Sequence, residues 1–213
     1  MTRKFFWVDP YCTSYEATVK SVLGPEVKLD STIFFAFSGG QDSDRGTIGG
    51  VKVISAQKEG RDIIYTLPDD HGLIPSQRVQ VEIDWVRRHR LMRLHFAAEL
   101  VLELFYKEFE SADKIGAHIT QDKARIDFYW PESISPLLPK LTEETNRIIA
   151  SDVEIRTGYD DEENERRYWE IEGFSRVPCG GTHVRRTGEI GSVRLKRVNI
   201  GKGKERVDIY LQD

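Results

Sequence analysis

Two pairs of side chains in this sequence have the types and spacing to hold a metal ion. Cys179-Gly-Gly-Thr-His183 presents a thiolate and an imidazole with two glycines between them. Glycine costs about 1 kcal/mol against alanine inside a helix, so this segment predicts a tight loop whose side chains can turn toward one point. Sulfur with imidazole is a favoured zinc donor set, and a loop of this kind needs further ligands from elsewhere. His95 and Glu99 supply a matching half, because residues i and i+4 of a helix stack on one face a turn apart. His89 lies about 240° around the same helix from His95 and points elsewhere. Each half also has a plainer reading: a free buried cysteine with an unrelated histidine, and a packed histidine above a solvated glutamate.

The elements that must position these groups follow from periodicity. Residues 15–23, 26–29, 32–37, 51–57, 62–67 and 79–83 read as short strands broken by Gly24-Pro25, Asp30-Ser31 and a turn at 58–61. Several short strands at this spacing predict a small β-barrel over residues 1–84. Within it, residues 38–50 hold five glycines in thirteen positions, too many for a regular element. Asp84 is placed to cap a helix running to about residue 109, with Leu91, Leu94, Ala98, Val101, Leu102 and Phe105 at helical spacing. Residues 115–120 and 124–130 predict paired strands, 141–150 a second helix and 153–157 a further strand. The acidic stretch 160–172 is open between helix and loop, and 191–198 and 206–211 close the chain as strands. The expected architecture is α+β: the barrel, then residues 85–213 as a long helix packed on an antiparallel sheet.

Composition bounds the class. The 213 residues suffice for one large domain or two small ones with a buried core. No apolar run is long enough to span a membrane, the N-terminus lacks a signal-peptide pattern, and two cysteines cannot build a disulfide framework. These features place the chain in a reducing cytoplasm, with no membrane partner. Net charge is −4, but it is unevenly distributed. Residues 160–172 carry seven acids against two arginines, whereas 185–206 carry eight basic residues, Lys202 among them, against two glutamates. The basic run is either a solvated face or a phosphate-contacting surface.

Four motifs in order then resemble one family. Ile83-Asp-Trp-Val-Arg-Arg-His-Arg-Leu-Met-Arg-Leu-His95, Pro178-Cys-Gly-Gly-Thr-His183 and Thr187-Gly-Glu-Ile-Gly191 resemble the AlaX alanyl-tRNA editing proteins. These are free-standing relatives of the editing domain of alanyl-tRNA synthetase. Ser38-Gly-Gly-Gln41, continuing through Asp44, Gly46 and Ile48, resembles the glycine-rich motif of the medium-sized members, which carry a small barrel before the editing domain. The resemblance implies a zinc-dependent hydrolase that deacylates tRNA(Ala) mischarged with serine, or with glycine in some members. It implies a barrel domain at 1–84, an editing domain at 85–213, and zinc (Zn2+) as cofactor. The oligomeric state is left between monomer and homodimer.

Carried over position by position, the family's zinc ligands fall on His95, Cys179 and His183. The fourth position holds Glu99, where the family usually has a second histidine. The glycine motif also departs, with Ser38 in place of glycine and Asp42 after Gln41. Glu99 could complete a four-ligand zinc site, orient the attacking water as a general base, bind weakly and move aside, or mark lost metal affinity. Gln41 is the candidate contact to the aminoacyl group, and Thr182 either faces the serine hydroxyl or caps its loop. Arg87, Arg88, Arg185, Arg186, Arg194, Lys196 and Arg197 are candidate phosphate contacts. Two alternatives stand beside this reading: editing of another mischarged tRNA, as in the related domain of threonyl-tRNA synthetases, and a tRNA-binding module without hydrolysis.

Overall fold

The structure is a computed structural model that describes residues 1–109, 113–201 and 203–212, so Lys202 of the basic run lies outside the described residues. The chain divides into two compact units, one of residues 1–38 and 42–90, the other of residues 39–41 and 91–213. In the first unit the strands are β1 (Arg3–Lys4), β2 (Ser14–Leu23), β3 (Glu26–Leu29), β4 (Ser31–Thr32), β5 (Gly46–Ile48), β6 (Val51–Lys52), β7 (Ser55–Glu59), β8 (Asp62–Thr66) and β9 (Arg78–Ile83). Seven of them form one curled antiparallel sheet in the order β6-β5-β9-β2-β3-β8-β7, and β1 pairs with β4 in parallel.

The curl has a local cause. The N-terminal half of β2 pairs with β9 and its C-terminal half with β3, with a register shift between Val19 and Ser21. An irregularity of that kind bends a strand and raises its twist. β9 shows the alternation read from sequence, burying Val79, Val81 and Ile83 between exposed Arg78, Gln80 and Glu82. The expected strand at 51–57 is split. Val53 donates its N–H to Gly46 and Ile54 donates to Thr66, so the chain changes partners between β6 and β7.

The expected strand at 32–37 stops at Thr32, although Ile33, Phe34, Phe35 and Ala36 are buried. An ion pair takes the place of a sheet ladder there. Asp44 Oδ2 accepts from the Phe35 N–H at 2.6 Å, and Arg88 Nη2 donates to the Ile33 carbonyl at 2.6 Å. Buried backbone groups need partners, and these side chains provide them.

Helix α1 (Trp85–Glu108) opens on Asp84, whose Oδ1 accepts the Arg87 N–H at 3.0 Å. Residues 91–98 of α1 are buried on nearly every side, which suits a helix enclosed by protein. The second unit continues with β10 (Asp113–Ile119), β11 (Ala124–Tyr129), α2 (Leu138–Ala150), β12 (Arg156–Asp161), β13 (Arg166–Ile171), β14 (Ser175–Pro178), β15 (Val193–Asn199) and β16 (Lys204–Leu211). They build a four-stranded antiparallel sheet, β10-β11-β16-β15, and a three-stranded one, β12-β13-β14. Phe105 of α1 packs on Phe128 of β11 with ring centroids 4.4 Å apart. The acidic stretch is neither helix nor loop but a hairpin: Arg167, Trp169 and Ile171 alternate inward while most of its acids face water. Pro139 sits inside the first turn of α2, where its missing N–H costs nothing.

Candidate metal and active site

Helix α1 holds His95 and Glu99 one turn apart, with Nε2 and Oε1 separated by 3.2 Å. Cys179 follows β14, and its N–H donates to the Arg167 carbonyl at 2.8 Å, which extends the hairpin ladder by one rung. The thiol is thereby aimed at the helix. Cys179 Sγ lies 3.6 Å from His95 Nε2, 3.3 Å from His183 Nε2 and 3.7 Å from Glu99 Oε1. Phe96 packs edge-on against both His183 and Trp169, closing the apolar side of the cluster.

The donor spacing fits a metal. A tetrahedral zinc ion with bonds of about 2.3 Å to sulfur and 2.0 Å to nitrogen would separate those ligand atoms by roughly 3.5 Å. The observed sulfur–nitrogen distances of 3.6 and 3.3 Å bracket that value. The donor atoms of His95, Cys179 and His183 all lie within 4.8 Å of one another, and the Glu99 carboxylate falls outside this set of three. Its second oxygen, Oε2, instead accepts the indole N–H of Trp169 at 3.0 Å. Three donors with a carboxylate beside them can bind a divalent ion and leave one position for an exchangeable ligand.

Electrostatics at the cluster are strongly coupled. Burial works against a charged His95, but Cys179 and Glu99 beside it prevail and raise the imidazole to about 10. Burial likewise opposes ionised Glu99, yet the His95 hydrogen bond and charge, with His183 and the Trp169 N–H, lower it to about 2. His183 is lowered to about 3, first by burial and then by repulsion from His95.

Gln41 is not a solvent-exposed loop residue. It is fully buried, its Nε2 donates to Thr182 Oγ1 at 2.8 Å, and its Oε1 accepts the Thr182 N–H at 3.2 Å. The glycine loop brings it there, since Gly40 lies with φ +83° close against the Ala117 carbonyl. Thr182 is equally buried, its hydroxyl oxygen turned to Gln41. Gly181 has no room for a side chain: an added Cβ would stand 2.0 Å from His95 Cε1 and 2.9 Å from Gln41 Oε1.

The expected phosphate contacts separate into two sets. Arg88 is completely buried, paired with Asp44 and donating to Pro10 and Ile33 carbonyls. Arg87 is buried against Asp42 and the Ser43 carbonyl. Both serve the interior of the first unit and are withdrawn from a phosphate surface. Arg185, Arg186, Arg194 and Lys196 are exposed, Arg186 pairing with Asp152, while Arg197 is engaged by Glu205. Sequence reading missed Trp169 as the partner of Glu99. The period-two burial of Arg167, Trp169 and Ile171 was the available signal, masked by the charge of their neighbours.

A curled antiparallel sheet followed by a unit that gathers His, Cys and His defines a class, and comparison with known proteins agrees. Residues 167–208 match the family model described as the threonyl and alanyl tRNA synthetase second additional domain. The chain is 32% identical to the alanyl-tRNA editing protein AlaX-M of Pyrococcus horikoshii over 216 residues, covering 100% of this chain and 99% of that protein. It is 30% identical to AlaX-M of Methanosarcina mazei, covering 100% and 98% of the two chains. Alanine–tRNA ligase of Staphylothermus marinus matches at 32% over 97% of this chain but only 26% of its own length. The chain belongs to the alanyl-tRNA editing protein AlaX-M family. Among the described residues no helix is long and apolar enough to cross a membrane.

Proposed function

We propose that this protein is a trans-editing deacylase that hydrolyses the ester joining serine, and secondarily glycine, to tRNA(Ala). The observation that carries this reading is the meeting of His95, Cys179 and His183 within 4.8 Å in a chain of this family. These three residues would hold zinc. Bound zinc lowers the pKa of a water and polarises a carbonyl, the chemistry that ester hydrolysis at neutral pH requires. Glu99 Oε1 stands beside the donors as the base that takes a proton from the attacking water. Water oxygen then bonds to the ester carbonyl carbon, the ester C–O bond breaks, and the proton passes to the terminal ribose oxygen.

Gln41 acts through Thr182, fixing the hydroxyl and the loop that carries Cys179 and His183. The curled sheet order supports reading the N-terminal unit as a small barrel domain, nominally 1–84, with 85–213 as the editing domain built on α1. The protein works in the cytoplasm as a monomer or homodimer in this reading. Glu99 at the position of a usual histidine supports one second reading, a tRNA-binding module without hydrolysis. Purified protein incubated with seryl-tRNA(Ala), with and without a chelator, tests both. Chelator-sensitive release of serine, with alanyl-tRNA(Ala) spared, is expected. Intact seryl-tRNA(Ala) after incubation with folded, zinc-loaded protein would rule out the hydrolase and favour the binding module. Replacing Glu99 with histidine should lower the activity of an enzyme tuned to glutamate and restore activity to a lapsed one.

A further inference from the structure

The four-stranded sheet of the second unit has two unlike faces. Ile126 and Phe128 of β11 and Val207 and Ile209 of β16 are buried on one. Register places Arg125, Asp127 and Tyr129 on the other, opposite Asp208, Arg206 and Lys204. It sets Arg194 and Lys196 of β15 across from Tyr210 and Asp208 on that same face.

The acids at its centre are already consumed. Asp208 is buried and accepts from Lys123 and from the Tyr210 hydroxyl, and Asp127 is buried between Arg125 and Arg206. What remains is a row of cations. Arg194, Lys196 and Lys204 are exposed, and none of them makes an ion pair among the described residues. In a chain of net charge −4, three uncompensated cations on one sheet face are not what composition dictates. Aromatic rings are interleaved with them: Tyr129 is 51% exposed with Lys204 5.6 Å from its centroid, and Arg194 lies 5.2 Å from that of Tyr210.

We propose that this sheet face is a docking platform for an RNA strand, with Arg194, Lys196 and Lys204 on phosphates and Tyr129 stacking a base. An exposed ring, Tyr129, and a half-buried one, Tyr210, beside cations on a sheet face fit unstacked RNA, since every base offers a π-face and every linkage a phosphate. Insertion into an anionic membrane calls for an apolar face rich in Trp, Phe or Leu, whereas this is a strand surface of charged side chains and tyrosines. From Tyr210 to Lys204 the platform runs roughly 20 Å at about 3.4 Å per residue, enough for several nucleotides. The proposal rests on the reading that tRNA is the substrate, and adds a surface built from residues other than the His–Cys–His cluster.

Retention of uncharged tRNA(Ala) on filters across a potassium chloride series tests it, using the full chain. An R194E/K196E/K204E variant should bind more than tenfold more weakly and lose about 2–3 from the log–log salt slope, one phosphate contact being worth roughly 0.7–0.9. Tyr129→Ala should weaken binding roughly fivefold or more with little change in slope. Circular dichroism verifies that both exposed-face variants are folded. Wild-type affinity and slope in the triple variant would overturn the platform. So would equal binding of wild-type protein to heparin, anionic vesicles and tRNA, which would make the face a general polyanion patch. Wild-type hydrolysis of seryl-tRNA(Ala) is scored in the same preparations. If it is absent while tRNA binding responds as expected, the platform stands and the hydrolytic reading falls.

Discussion

The indole Nε1 of Trp169 donates to Glu99 Oε2 at 3.0 Å while Glu99 Oε1 faces His95 Nε2 at 3.2 Å. One buried tryptophan therefore sets the direction of the carboxylate beside the donor cluster. Glu99→Gln keeps the acceptor for that indole but cannot take a proton. We expect it to retain zinc, measured as metal per chain by atomic absorption, and to deacylate seryl-tRNA(Ala) about 100-fold or more slowly. Loss of the metal along with the rate would make Glu99 a ligand instead. Trp169→Phe should slow turnover about tenfold at unchanged metal content, because the carboxylate is freed to rotate.

Gly181 tests the architecture of the same site from the other side. An added Cβ would overlap His95 at 2.0 Å from Cε1 and 2.5 Å from Nδ1, well inside contact distance. Gly181→Ala should displace that imidazole, and the folded variant should bind zinc at least tenfold more weakly in a chelator competition. A variant with wild-type zinc affinity would show that His95 is not needed to hold the ion.

Arg88 and Asp44 are both fully buried, so breaking the pair leaves an uncompensated charge. Removing one partner of such a pair typically costs about 3–5 kcal/mol. Arg88→Met should therefore lower the urea midpoint substantially. Where the variant is still folded, its salt slope for tRNA binding should match the wild type. A shallower slope would return Arg88 to the phosphate surface.

Tyr65 carries a pH dependence. Burial, and behind it the charge of Asp44, raise its phenol above the usual value despite the hydrogen bond to Thr32. The unfolded chain ionises this group near its ordinary value of about 10 and the folded chain resists. The phenol's contribution to stability is thus complete below pH ~10 and is lost as the pH rises beyond it. Urea unfolding between pH 9 and 11 should show stability falling, with a flatter fall in Tyr65→Phe. Parallel curves for the two proteins would exclude Tyr65 as the source.

Local pattern made much of this molecule legible. Asp84 before an apolar stripe marked the start of α1, and alternation marked β9. His95 with Glu99, and Cys179 with His183, were visible as halves because i,i+4 spacing and a glycine loop are short-range constraints. Harder to read were places where a distant partner decides the conformation. Residues 33–36 look like a strand, yet the Phe35 N–H donates to Asp44 and the Ile33 carbonyl accepts from Arg88 in place of a ladder. Charge in the 160–172 stretch hid a hairpin, because exposed acids say nothing about which alternate residues turn inward.

Side-chain types and spacing by themselves offered His95, Glu99, Cys179 and His183 as candidate donors and marked the helix that carries two of them, and four motifs carried the resemblance to the family. Tertiary structure decided the rest. It placed Glu99 beside three donors and pinned it by Trp169, seventy residues away. It turned Gln41 inward onto Thr182, and it split the arginines into buried ion pairs and an open sheet face. The physical reason is common to all three. Burial and pairing depend on which distant residue arrives opposite, and hydrogen bonds and charges inside a protein act only on the neighbours that folding supplies.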